Sequence, residues 1–262
     1  MKRVIAGIAG ISAVTAVALV TATPAHAAPA DPVKALKSQF IPGKGVKFTD
    51  RTVLIVDGKS THFLRRTGSF QFGKAGIAAS DISAKYAATD STGTFAPERT
   101  IRIGTTTYTQ GGIYRQKLPE GKSWYKDQGG MTGGASGWLS QLVNVAEPAT
   151  LKTLLSSAKQ AHGSYSGTTT FARLAKVSPW FRATLPIRSS DKTVVTFKLT
   201  LGRNGLPQRL TTSYPATGLF DSDAWEGKTV SVETRFTGWG SKVSIKAPPA
   251  SKVTTKLQSD DG

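Results

Sequence analysis

Cysteine is missing from all 262 residues. That excludes disulfide staples, thiolate nucleophiles and cysteine-bound metals, and it leaves no thiol to carry a lipid at a leader cleavage site. Histidine is nearly absent, with three in the chain, and His26 falls in the leader described below. His62 and His162 remain, and no G-x-S-x-G elbow presents a serine to either. His62 reads as a strand residue and His162 as a helix-end cation. Beyond the first 22 or so residues no apolar run approaches the roughly 18 needed for a membrane helix. Acid is scarce too: 16 Asp and Glu stand against 34 Lys and Arg, a formal net charge of +18.

The N-terminus begins Met1-Lys2-Arg3 and continues apolar to about Val20, the n- and h-regions of a secretory leader. Ala25-His26-Ala27 supplies small residues at the −3 and −1 positions, which sets cleavage before Ala28. The expected organisation is a signal peptide over residues 1–27 and one domain over 28–262 with a loose polar tail. The expected location is outside the cell, within the envelope, without lipid anchorage. Most of the positive charge survives cleavage, because the leader holds only Lys2 and Arg3. Such a field suits anionic membrane surfaces or wall polymers, or simply keeps the chain dissolved. The cations are scattered along strand-like segments, which argues against a specific nucleic-acid reader. The sequence does not fix an oligomeric state.

Period-two patterning fills both ends of the chain. Val53–Val56 and Thr61–Arg65 flank the turn Asp57-Gly58-Lys59, a hairpin signal. Phe70 and Phe72 share a face, and Ile82–Tyr86 and Thr100–Ile103 extend the series. Val195, Phe197, Leu199 and Leu201 alternate with polar residues before the turn Arg203-Asn204-Gly205. Leu206–Tyr214, Val230–Phe236 and Val243–Ile245 follow, and Pro248-Pro249 is expected to end the sheet.

The middle differs. Gly129–Gly137 reads as a flexible loop, Trp138, Leu139, Leu142 and Val143 as a short helix, and Leu151, Leu154, Leu155 and Ala158 as a second helix stopped by Gly163. A third stretch, Ala172–Leu185, breaks at Ser178-Pro179. Strand blocks around a helical insert define an α+β fold with helices gathered on one side of an antiparallel sheet.

Enzyme signatures are sparse. Gly58-Lys59-Ser60 and Gly121-Lys122-Ser123 look like the ends of phosphate loops, but Val53 and Gln116 stand where the first glycine belongs. Asp221, Asp223 and Glu226 gather around Trp225; a glycosidase needs two opposed carboxylates, while a solvated loop with a packing tryptophan accounts for the same residues. No spacing resembles a metal site, and no cofactor is expected.

Three segments together carry a resemblance: Gly121-Lys-Ser-Trp124-Tyr-Lys126; Leu201-Gly-Arg-Asn-Gly205-Leu-Pro-Gln-Arg209-Leu; and Phe236-Thr-Gly-Trp239-Gly-Ser-Lys-Val243-Ser-Ile245 followed by Ala247-Pro-Pro249. With their order from Gly68 to Val253, the chain resembles the LppX/LprG type of actinobacterial envelope lipoproteins, relatives of the periplasmic carrier LolA. The resemblance implies an incomplete antiparallel β-barrel whose concave face is covered by short helices, with a cavity for acyl chains between them. It implies no catalysis, and a lipid or acylated partner. Many members have a lipobox cysteine, which is absent here.

On that picture the candidate cavity wall is Phe70, Phe72, Ile101, Ile103, Phe197, Leu199, Val230, Val232 and Phe236 from the sheet. Leu139, Leu142, Leu151, Leu154 and Leu155 would come from the helical side. Ordinary core packing demands the same apolar pattern. A solid core with a basic binding surface is the alternative. Trp124 and Trp239 are assigned to packing.

Overall fold

A computed structural model describes residues 31–88, 95–129, 132–161 and 163–258. Residues 1–30, which hold the expected leader, His162 and the tail at 259–262 lie outside the described residues. Helix α1 (Pro32–Lys37) starts at Asp31, whose carboxylate accepts from the Val33 and Lys34 amides. Strands β1 (Lys44–Val56) and β2 (Lys59–Gly73) form the expected hairpin. Asp57 (φ 50°) and Gly58 (φ 75°) are both left-handed, as a two-residue turn that follows the strand twist requires. Strands β3 (Gly76–Tyr86), β4 (Glu98–Ile103), β5 (Thr106–Gly111) and β6 (Trp124–Gln128) continue as an antiparallel meander.

The insert follows, then α2 (Pro148–Ser157), β7 (Lys159–Ala161), β8 (Ser164–Thr170), α3 (Phe171–Val177) and α4 (Pro179–Thr184). The break at Ser178-Pro179 falls where the sequence puts it. Ser178 caps α4, its hydroxyl accepting from the Phe181 amide at 2.9 Å. Strands β9 (Val194–Leu201), β10 (Pro207–Pro215), β11 (Thr229–Lys242) and β12 (Val253–Thr254) complete the chain.

Among the described residues all twelve strands form one sheet in the order β12-β6-β5-β4-β3-β2-β1-β11-β10-β9-β8-β7. The two strand-rich blocks meet where β1 pairs with β11, Phe48 opposite Phe236. The edge strands β12 and β7 do not meet, so the sheet curves without closing. The helices pack on one face, with Leu151, Leu154, Phe171, Leu174 and Phe181 joining Phe48, Phe70, Val195 and Val232 in a single buried cluster. This is an α+β fold, a curved and open antiparallel sheet covered by short helices.

Three local expectations are corrected. Trp138, Leu139, Leu142 and Val143 form no helix: one 3-10 turn spans Ala135–Gly137, and turns and irregular chain run on to α2. Side chains stitch that segment instead, with Gln141 Oε1 accepting from the Val143 amide and Asn144 Oδ1 from the Ala146 amide. Such local bonds compete with helix formation. Helix α2 stops at Ser157, and Gly163 (φ 73°) serves the β7–β8 turn. Finally, Pro248-Pro249 does not end the sheet. The chain rejoins it as β12, paired parallel to β6 through Val253–Trp124.

Candidate functional site

Residues paired across antiparallel strands share a sheet face. One row of partners, Thr100–Ile82–Gly68–Phe48–Phe236, crosses β4, β3, β2, β1 and β11 on the helix-covered side. Neighbouring Ile101 belongs to the opposite row, with Asp81, Ser69 and Lys47. Ile101 and Ile103 therefore do not face the helices. Ile101 is buried outside the main cluster and Ile103 is 36% exposed. The covered face of β4 is polar instead, carrying Glu98, Thr100 and Arg102.

The other candidates do converge. Phe70, Phe72, Leu139, Leu142, Leu151, Leu154, Phe197, Leu199, Val230, Val232 and Phe236 are buried in one cluster, and Leu155 packs against it half-buried. Their rings and branches touch one another across the expected hollow. Phe48 stacks on Phe70 at 4.7 Å and Phe70 meets Trp180 edge-on at 5.2 Å. Phe171 lies 5.2 Å from Phe181 and 5.7 Å from Tyr214. The middle of the sheet–helix interface is thus packed with the protein's own side chains.

Space opens at the rim. An apolar crevice of about 250 Å3 lies between the end of β3, the insert and the loop that joins β10 to β11. It is lined by Tyr86, Phe95, Ile113, Ala135, Trp138, Leu139, Phe220 and Trp225. Phe63, Tyr86 and Phe95 form a ring cluster with centroids 5.2–5.7 Å apart. On the facing wall Trp138 lies 5.7 Å from Phe220, which stacks on Trp225 at 5.0 Å. Only Leu139 comes from the expected wall. The rest comes from four distant segments, and their aromatic content is the one signal that sequence offered.

A buried polar network holds the insert against the sheet. Arg66 Nε donates to Asp50 Oδ2 at 3.0 Å, and both side chains are 1% exposed. Thr234 Oγ1 donates to Asp50 Oδ1 at 2.7 Å, Gln141 Nε2 to Thr234 at 3.0 Å, and Thr212 Oγ1 to Gln141 Oε1 at 3.0 Å. Tyr214 donates its phenol to the Ser140 carbonyl, and burial pushes that phenol far above its ordinary range.

Two carboxylates clasp the ends of the insert. Glu98 accepts from the Ser136 amide at 2.7 Å. Glu147 accepts from the Trp180 amide at 2.7 Å, from Thr150 Oγ1 at 2.9 Å and from the Ser178 hydroxyl. Burial raises both above the usual carboxylate range, and the hydrogen bonds offset only part of the rise. The glycine-rich loop is accordingly no free hinge where it is described: Thr132–Gly134 and Ser136–Gly137 are buried, while Gly130 and Met131 lie outside the described residues.

Asp221, Asp223 and Glu226 are exposed, on the same loop as Phe220 and Trp225. His62 is exposed on β2. Among the described residues no group of three His, Cys, Asp or Glu is placed to hold a metal ion, and no helix is long and apolar enough to cross a membrane.

No protein-family model and no curated protein matches the chain. Solved structures similar to it include a LolA superfamily protein from Nitrosomonas europaea, 8% identical with a TM-score of 0.26, covering 83% of this chain and 93% of that one. Another is a DUF1329 family protein from Desulfovibrio piger, 10% identical with a TM-score of 0.34, covering 82% and 93%. Likenesses this remote transfer no function.

Proposed function

We propose that the chain is an exported, non-enzymatic binding protein that takes the hydrocarbon tail of an amphiphile into the rim crevice. The described lining supports this reading: its side chains are aromatic and aliphatic, with no charged group among the described residues. Exposed apolar area of this kind favours a hydrocarbon guest by about 25 cal/mol per Å2 covered. At about 250 Å3 the crevice falls short of the roughly 300–1,000 Å3 of a drug-sized ligand pocket. It suits one chain end and leaves the rest of the molecule outside. LppX/LprG-type kinship, with its shuttling of acylated molecules, belongs to the same proposal.

The rim bears on the head group. The Phe220–Trp225 loop exposes Asp221 and Asp223, and Glu226 follows it exposed, with Lys228 Nζ 5.3 Å from the Trp225 ring. A neutral or cationic head suits that loop better than a phosphate. The test is titration with a long-chain fluorescent amphiphile whose emission rises in apolar surroundings. Ala135 lines the crevice, so Ala135→Phe should fill it and weaken binding at least tenfold while leaving the fold intact. Equal binding by this variant would refute the assignment.

A further inference from the structure

The uncovered face of the sheet carries a second feature that the crevice does not explain. Paired residues place Lys85, Arg65, Arg51, Glu233, Thr211 and Lys198 in one row across β3, β2, β1, β11, β10 and β9. The adjacent row holds Arg99, Ser83, Thr67, Thr49, Arg235 and Arg209. Acid on these rows is confined to Glu233, which is taken up by Arg209 and Arg235. Arg99 is held by Asp81 from the next row. Arg51, Arg65 and Lys85 are exposed and have no carboxylate within ion-pair distance among the described residues. A depression of about 540 Å3 lined by Thr49, Asp50, Arg51, His62, Arg65, Glu233 and Arg235 lies between the rows, and the Asp50 side chain is turned away from it into its buried pair with Arg66.

Like charges directly opposed on neighbouring strands destabilise a sheet. Here Arg65 faces a cation on both sides, Arg51 and Lys85. An external anion is the missing partner. Lys85, Arg65 and Arg51 stand on three neighbouring strands and exposed Lys198 stands beyond Glu233 and Thr211, so an anion that reaches all four crosses six strands at about 4.8 Å each and is extended over roughly 24 Å.

We infer that this face binds a flexible, linear phosphodiester polymer without bases. Arginine suits phosphate through its planar fork of donors. A nucleic-acid strand would be gripped by exposed aromatic rings on which bases stack, and neither row contains Phe, Tyr or Trp. A membrane surface would need an apolar anchor beside the charges. The exposed large hydrophobics, Ile41, Val56, Ile103, Ile113, Ile187 and Val194, all stand outside the two rows.

The probe is a poly(glycerol phosphate) chain, titrated against the full-length mature protein over a range of salt. Expected is tight binding at low salt, with log K falling linearly in log salt by about 0.7 per phosphate neutralised. Arg51→Ser/Arg65→Ser should weaken binding at least tenfold, flatten that slope, and leave the polymer-free protein as stable or slightly more so. Lys152→Ser/Lys192→Ser, which removes the same charge elsewhere on the surface, should change affinity less than twofold. Equal losses in the two variants would reduce the effect to net charge and overturn the proposal. Tighter binding to an oligothymidylate of matched phosphate number, or to phosphatidylglycerol vesicles, would overturn it in favour of those partners.

Discussion

Asp50 and Arg66 occupy the centre of the covered face, where an alternating pattern would call for two apolar residues. Their ion pair is sealed at 1% exposure and tied through Thr234 to Gln141 on the insert. Removing one partner strands a buried charge. Asp50→Ala or Arg66→Ala should cost about 3–5 kcal/mol in chemical denaturation, whereas Asp50→Leu/Arg66→Met together should come out close to neutral. At Glu98 the expectation concerns pH. Burial raises its folded pKa above the ordinary carboxylate value, so the folded chain holds a proton that the unfolded chain has released. The resulting stabilisation is complete below the unfolded pKa and is lost as pH rises through the raised folded one. Glu98→Gln should therefore flatten the decline in thermal midpoint as pH rises above the ordinary carboxylate pKa of about 4.3, and an unchanged slope would assign the decline elsewhere. None of these residues was legible in sequence as a core residue, because a charge on a strand reads as solvent-facing until its partner is known.

Strands β1, β9, β10 and β11 alternate because their covered face is apolar, and Asp57-Gly58 marks its hairpin through left-handed dihedrals. Strand β4 misleads: Ile101 and Ile103 are its apolar residues, yet Glu98, Thr100 and Arg102 take the covered side to meet the insert. Apolar alternation reports the wrong face wherever that face binds a polar loop. The insert misleads in the same way, since Gly133 and Gly134 mark close approach and not slack. Gly134 has φ 61°, and a Cβ there would lie 2.6 Å from Glu98 Oε1. Gly134→Ala should cost on the order of 1–3 kcal/mol and, because Ala135 lines the crevice, should weaken amphiphile binding as well. Wild-type affinity together with a wild-type unfolding midpoint would show that the clasp does not shape the crevice.

At the scale of the whole molecule the sheet separates two chemistries. Its helix-covered face is packed at the centre and opens at an aromatic rim, and its opposite face carries rows of Arg, Lys, Ser and Thr across β4 to β9. The open antiparallel sheet and the position of the helices were legible from strand blocks around a helical middle. The crevice was not, because Tyr86, Phe95, Trp138 and Trp225 come together only through the tertiary fold, and alternation marks the filled interior as readily as an empty one. Uptake of a hydrocarbon chain at the rim, as proposed, is tested most directly by quenching of tryptophan emission by a single-tailed amphiphile brominated along its chain. Saturable quenching that disappears in Trp138→Phe/Trp225→Phe is the predicted result, since the remaining Trp124, Trp180 and Trp239 lie outside the crevice lining. Quenching that is absent, or that persists undiminished in that variant, would contradict it.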